Sequence, residues 1–110
     1  MMMITLNIGG TIFLTTKETL SSRGSHFFSN LVQYSNDADF FIDRDGTHFR
    51  FVLNFLRGST YLPKQRNILL ELLHEADFYC LQELKTNISK LLPKSVGLIE
   101  EEINRIADKH

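Results

Sequence analysis

The sequence predicts an α/β protein of the α+β kind: a small, mostly N-terminal sheet flanked by about five helices, followed by a C-terminal amphipathic helix. Three observations lead there. Near the start, apolar residues alternate with polar ones, the period of a half-buried strand. From residue 49 onward they recur at i, i+3, i+4 and i+7, the spacing of one helix face. Between these regions a short apolar burst at 40–42 is bounded by charge, and the period changes across Asp43-Arg44-Asp45-Gly46.

Ile4, Leu6 and Ile8 alternate with Thr5 and Asn7, and Ile12 and Leu14 resume beyond Gly9-Gly10, which reads as a two-strand hairpin with a glycine turn. A phosphate-cradling role for these glycines is set aside, because neither G-x-G-x-x-G nor G-x-x-x-x-G-K-[ST] occurs. Thr16 can cap a short helix over 16–22, and Ser25 another that carries Phe27, Phe28, Leu31 and Val32 on one side. The polar stretch 33–39 is a surface loop leading into a buried strand at 40–42 that ends at Asp43. A helix then places Phe49, Val52, Leu53 and Leu56 on one face, with Phe51 and Phe55 beside them and Arg50, Asn54 and Arg57 opposite. Asp45 or Thr47 is expected to cap it, with Arg57 near the negative end of its dipole and Gly58 as its left-handed stop. Such a helix is expected between two packing partners. Pro63 and Asn67 introduce a helix with the stripe Leu69, Leu72, Leu73 and Ala76, and Leu81, Leu84, Ile88 and Leu91 mark a last core helix closed by Pro93.

Residues 95–110 have a different character. Val96, Ile99, Ile103 and Ile106 fall at helical spacing, and Glu101 lies four residues before Arg105 in the favourable order. This amphipathic helix either docks on its own domain or forms a short seam between subunits; under two heptads cannot sustain a coiled coil alone. The pattern is unfinished at His110, so the chain is expected to be a piece of a longer protein.

Composition narrows the function classes. At 110 residues one core is expected. Twelve basic and thirteen acidic residues give a net charge of −1, with no basic patch to support nucleic-acid binding. No apolar run approaches the roughly 20 residues of a membrane span, and Met1-Met2-Met3 lacks the basic flank of a signal peptide. No direct membrane insertion is expected, and the expected compartment is the cytoplasm, with the nucleus also open. The single cysteine, Cys80, makes no internal disulfide and agrees with a reducing compartment. Nine Phe and no Trp indicate an aromatic-rich core.

Candidate chemistry fails on context. His74 and Cys80 are five residues apart, yet no second ligand pair follows at zinc spacing, and His26 and His48 have no partners in sequence. His74 falls on the hydrophilic side of its helix. Asp43-Arg44-Asp45-Gly46 is not a calcium loop, because the required oxygen donors would fall on Phe41 and Val52. No G-x-S-x-G elbow is present. The expectation is therefore no catalytic residue, no cofactor and no metal, with a metal-dependent hydrolase as a remote alternative.

Three blocks in order carry a family resemblance. The first is Leu6-Asn7-Ile8-Gly9-Gly10-Thr11 with Phe13 and the later Thr-Thr-Lys-Glu-Thr-Leu at 15–20. The second is Phe41-Ile42-Asp43-Arg44-Asp45-Gly46-Thr47 with Val52-Leu53-Asn54-Phe55-Leu56-Arg57-Gly58. The third is Glu75-Ala76-Asp77-Phe78-Tyr79. Together they resemble the BTB/POZ domain of the potassium-channel-tetramerisation type over residues 3–92. The chain is more similar to the soluble KCTD group than to voltage-gated channels, which typically read Asp-Arg-His-Pro where this chain has Asp43-Arg44-Asp45-Gly46. A cytoplasmic assembly domain of a potassium-channel-like protein is the alternative. The intersubunit zinc site of many such channel domains would fall near Tyr61, Asn67, Ile88 and Ser89, which cannot supply it.

The resemblance implies a homo-oligomerisation module whose subunits close into a ring, a tetramer or a pentamer, through a contact of two different faces. It implies polar ring contacts, expected at Asn7, Asp43, Arg44, Asp45, Arg50 and Asn54; the alternative for each is capping or ordinary solvation. It also implies a substrate-adaptor role in a cullin-3 ubiquitin ligase. The cullin would meet the 33–39 loop and the junction at Phe78, Tyr79 and Leu81. No separate target-binding domain is evident in these residues.

Overall fold

Gly9 and Gly10 take φ of +57° and +105° and reverse the chain between β1 (Met3–Ile8) and β2 (Thr11–Thr16). The computed structural model describes residues 2–92 and 105–106. The two strands are antiparallel from Met3↔Thr16 to Ile8↔Thr11, and Asn7 Oδ1 accepts the Gly10 N–H at 2.7 Å across the turn. Thr16 caps α1 (Lys17–Leu20) by accepting the Thr19 N–H. Ser25 caps α2 (His26–Gln33) by accepting the Phe28 N–H, and its hydroxyl donates to the Tyr79 carbonyl at 2.6 Å. The chain then returns as β3 (Asp39–Ile42), which runs parallel to β1 and pairs Thr5 with Asp39 and Ile8 with Ile42. The sheet order is β2-β1-β3. Three helices follow: α3 (Phe49–Leu56), α4 (Arg66–Phe78) and α5 (Gln82–Leu91).

The helices cover one face of this sheet. Ile4, Leu6 and Ile8 of β1 are buried with Phe49, Val52 and Leu53 of α3, with Leu69, Leu72, Leu73 and Ala76 of α4, and with Leu84 and Ile88 of α5. An aromatic cluster joins the layers: Phe28 stacks on Tyr79 at 4.9 Å, Phe49 meets Tyr79 at 5.3 Å, and Phe13 of β2 meets Phe49 at 5.0 Å. These contacts are near the spacing at which aromatic pairs add to simple area burial.

Several local expectations need correction. Strand β3 is half-buried: Ile42 lies in the core while Phe41 is 63 % exposed, because no layer covers the outer face of the sheet among the described residues. On β2 the apolar alternation is inverted. Register places Phe13 and Thr15 opposite the inward Leu6 and Ile4, so Ile12 and Leu14 point outward and are each 56 % exposed. Neither Asp45 nor Thr47 occupies the cap of α3. His48 holds that position without a side-chain bond, and Asp45 Oδ1 instead accepts the backbone and hydroxyl hydrogens of Thr47. On α5, Leu91 is exposed while Lys85 is buried with its ammonium 2.8 Å from Asp77 Oδ1. Of the expected 95–110 helix, Arg105 and Ile106 are helical and Ile106 is buried. Val96, Ile99, Ile103 and Pro93 lie outside the described residues.

The turn and the strand-to-helix corner touch through backbone. A methyl on Gly9 would lie 2.2 Å from the Arg44 carbonyl oxygen, whereas one on Gly24, also left-handed at +70°, would meet nothing within 4 Å. Gly24→Ala should cost about 1 kcal/mol from backbone conformation alone, and Gly9→Ala at least about 1 kcal/mol more from overpacking. Urea unfolding of both variants checks this; equal losses would mean that the corner has room.

Candidate interaction surface

The corner at 43–48 directs the side chains of Arg44 and His48 onto α4. Arg44 lies just beyond β3 with its backbone against Gly9, and its guanidinium reaches Glu75 in a fork: Nη2 to Oε2 at 2.6 Å and Nε to Oε1 at 3.2 Å. The same guanidinium lies 4.3 Å from the centre of the Phe78 ring. Glu75 and Phe78 are one helical turn apart on α4, so one planar cation engages both. The Glu75 hydrogen bonds favour the charged guanidinium and raise its pKa further. Asp45 is held below the usual carboxylate range, first by the Thr47 hydroxyl and then by the Thr47 N–H. One turn along, His48 Nε2 is 2.9 Å from Glu71 Oε1. A groove of about 220 Å³ separates the corner from α4 and is lined by Asp45, His48, Glu71, His74 and Glu75. Among the described residues no group of three or more His, Cys, Asp or Glu is arranged to hold a metal ion.

The six expected ring-contact residues do not form one patch. Asp43, Arg44 and Asp45 are consecutive at the end of β3, with Asp43 and Asp45 exposed and Arg44 turned onto its own α4. Arg50 and Asn54 lie on α3, where the Arg50 guanidinium covers Phe51 at 5.1 Å and Asn54 Oδ1 is 3.5 Å from Arg57. Arg57 also donates to the Leu14 carbonyl at 2.7 Å, which sets α3 beside β2. Asn7 sits between the two groups on the central strand. The side chains thus divide between the β3 and the β2 sides of the sheet.

The expected cullin contacts divide as well. Tyr79 and Leu81 are buried, so in the free domain they present no surface. Burial also raises the Tyr79 pKa, and its hydroxyl has no hydrogen-bond partner among the described residues. Phe78 is 38 % exposed and rests on Phe27 at 5.1 Å beneath Arg44. In the 33–39 loop Tyr34 is exposed. Sequence reasoning missed Glu75 as the partner of Arg44, although its i, i+3 spacing to Phe78 was visible. It also missed the outward set Ile12, Leu14 and Phe41, which strand pairing alone reveals.

Comparison with known proteins agrees with this geometry. The BTB/POZ domain family model matches residues 4–89. FH protein interacting protein FIP2 of Arabidopsis thaliana is 43 % identical over 112 aligned positions, covering 94 % of this chain and 37 % of the relative. BTB/POZ domain-containing protein KCTD21 of Homo sapiens is 40 % identical, covering 92 % of this chain and 40 % of the relative. BTB/POZ domain-containing protein KCTD5 of Mus musculus is 33 % identical, covering 97 % and 47 % respectively. The chain spans less than half the length of each of these relatives. Among the described residues no helix is long and apolar enough to cross a membrane.

The Arg44–Glu75 pair is forked and only partly exposed, at 30 % and 14 % of the two side chains. Its coupling should therefore reach the upper end of the range for surface pairs, about 1 kcal/mol. A double-mutant cycle in thermal or urea unfolding with Arg44→Met and Glu75→Gln measures it. A coupling near zero would make the fork an incidental surface contact.

Proposed function

Since the chain belongs to the BTB/POZ domain family, of the potassium-channel-tetramerisation kind, we propose that residues 3–92 are a self-assembly module that closes into a ring of four or five copies. The family is one of interaction domains, and the KCTD-named relatives match nearly the whole chain. The observation that best supports ring closure is the split of candidate contact groups between the β2/α3 side and the β3 side of the sheet. A ring joins two different surfaces of each copy, whereas a two-fold dimer joins one surface to itself. Light scattering coupled to size exclusion at micromolar concentration should give four or five times the chain mass of 12.7 kDa. A single-chain mass throughout would overturn the reading.

A second reading, a substrate adaptor of a cullin-3 ubiquitin ligase, is favoured by Phe78. This ring rests on Phe27 beneath Arg44 and keeps part of its surface open. A preorganised aromatic offers a partner large apolar area at little entropic cost. Calorimetric titration with the N-terminal domain of cullin-3 should show binding, and Phe78→Ala should weaken it by more than about 1 kcal/mol. Absence of binding at tens of micromolar would remove the adaptor role and leave self-assembly in place.

A further inference from the structure

The Tyr79 side chain is fully buried, yet its hydroxyl has no hydrogen-bond partner among the described residues. An interior hydroxyl in that state costs stability that a single acceptor would restore. A suitable acceptor stands one helical turn away. Glu75 lies four positions earlier on α4, and its carbonyl accepts the Tyr79 N–H at 3.0 Å. Long side chains on a helix lean back over the preceding turn, which brings the Tyr79 ring over Glu75. Burial is the main cause of the raised Tyr79 pKa, the Glu75 charge adds to it, and the Arg44 charge opposes it. The phenol is therefore within electrostatic reach of both members of the fork. Both Glu75 oxygens are engaged by Arg44 instead, Oε2 by Nη2 and Oε1 by Nε.

The two members of the fork differ in what they lose on separating. Arg44 is the more exposed one, its Nη1 makes no hydrogen bond among the described residues, and a long cationic side chain reaches water easily. Glu75 is mostly buried, so its carboxylate needs another donor once Arg44 has gone. The Tyr79 hydroxyl is such a donor, and it gains a partner by the same move. A second arrangement thus exists in which Arg44 points to solvent and Tyr79 donates to Glu75. The change matters at Phe78. In the first arrangement the guanidinium lies 4.3 Å from the centre of that ring and covers one of its faces; in the second that face is bare, while Phe27 at 5.1 Å and Tyr79 at 5.0 Å still support the ring.

We infer that Arg44 is a releasable cover over Phe78, replaced on Glu75 by the Tyr79 hydroxyl when it leaves, and that the seat so bared takes a partner segment presenting one carboxylate beside an apolar side chain. The apolar group stacks on Phe78, and the carboxylate holds the freed guanidinium. Such a partner binds the open arrangement better than the closed one, which is what shifts the population. Asp45 and Glu71 line the adjoining groove, so a surface dense in carboxylates is repelled. The inference rests on the reading of Phe78 as a partner's seat and adds the chemistry of that partner.

Urea unfolding of the wild type, Tyr79→Phe, Arg44→Met and the double variant tests the replacement without any partner. With Arg44 present the hydroxyl has no bond to lose, so Tyr79→Phe should leave the folding constant unchanged or raise it. In the Arg44→Met background the same change should lower the folding constant by about fivefold or more. Arg44→Ala repeats the comparison if the methionine variant does not fold. Equal effects of Tyr79→Phe in both backgrounds overturn the inference. Phenylacetate, a ring beside a carboxylate, probes the seat. At millimolar concentration it should move the NMR signals of the Arg44 Nε–H and the Phe78 ring together, with acetate or benzyl alcohol about fivefold less effective. Arg44→Met should weaken phenylacetate binding, and Glu75→Gln, which loosens the fork, should strengthen it. Equal responses to acetate, or an unmoved Arg44 signal, overturn the seat. If these results hold and cullin-3 does not bind, the inference stands and the adaptor reading falls. If cullin-3 binds through Phe78 and Tyr79→Phe acts equally in both backgrounds, the adaptor reading stands and the inference falls.

Discussion

Two pieces of backbone that touch at Gly9 and Arg44 determine where the rest of the chain can go. The Gly9 N–H donates to the Ile42 carbonyl at 2.9 Å, and the Arg44 N–H shares that acceptor at 2.9 Å, so the end of β3 is held against the hairpin turn. Gly46 closes the other side, since a methyl there would lie 2.7 Å from the Ile8 carbonyl. With both glycines in place the corner lies flush on the sheet, which sends the Arg44 side chain onto α4 and leaves Asp45 to tie down Thr47. The Phe49 N–H then donates to the Gly46 carbonyl, and α3 starts with Phe49 inside the aromatic cluster. Missing volume at two glycines therefore fixes the phase of a helix and the position of the cation over Phe78.

A second junction depends on backbone conformation more than on side-chain identity. Helix α4 ends with Cys80 at φ +59°, the Leu81 N–H donating to the Ala76 carbonyl and the Cys80 N–H to the Asp77 carbonyl. This is the six-to-one and five-to-two pattern that usually ends a helix on glycine. With cysteine there, the left-handed turn costs about 1 kcal/mol, offset by burial of Leu81 and by the Ser25 hydroxyl on the Tyr79 carbonyl. The reversal drives Tyr79 into the core and Phe78 toward the surface. Which of two adjacent rings a partner can reach is thus decided by one residue's φ.

These two junctions mark where the sequence stopped being readable. Helical stripes such as Leu69, Leu72, Leu73 and Ala76 were legible because burial follows spacing, and the caps at Thr16 and Ser25 because a hydroxyl before an apolar-periodic run has few other uses. The three family blocks carried the fold as a whole. Cys80 was not legible as a helix stop, since no glycine announced it. The Arg44–Glu75 fork spans 31 positions and exists only once β3 and α4 are packed. Lys85 was equally hidden: a lysine on an apolar stripe looks like a break in the pattern until Asp77 is found beside its ammonium. The outward set on β2 was not legible for a related reason. Alternation tells that a strand has an apolar face, and only pairing with β1 tells which way that face points.

That last ambiguity shapes how the sheet relates to the rest of the protein. On β1 the stronger apolar face packs on the helices, whereas on β2, the neighbouring strand, it points away from them. A domain evolved only for its own stability would gain by putting Ile12 and Leu14 inside and the Thr15 hydroxyl outside, since the present arrangement leaves aliphatic area in water and buries a polar group. The glycine turn forbids that exchange without moving the corner at Arg44, so β2 is held in a register unfavourable to its own side chains by the contact on which the fold depends. The same constraint that builds the core therefore leaves Ile12 and Leu14 on the outer face of the sheet.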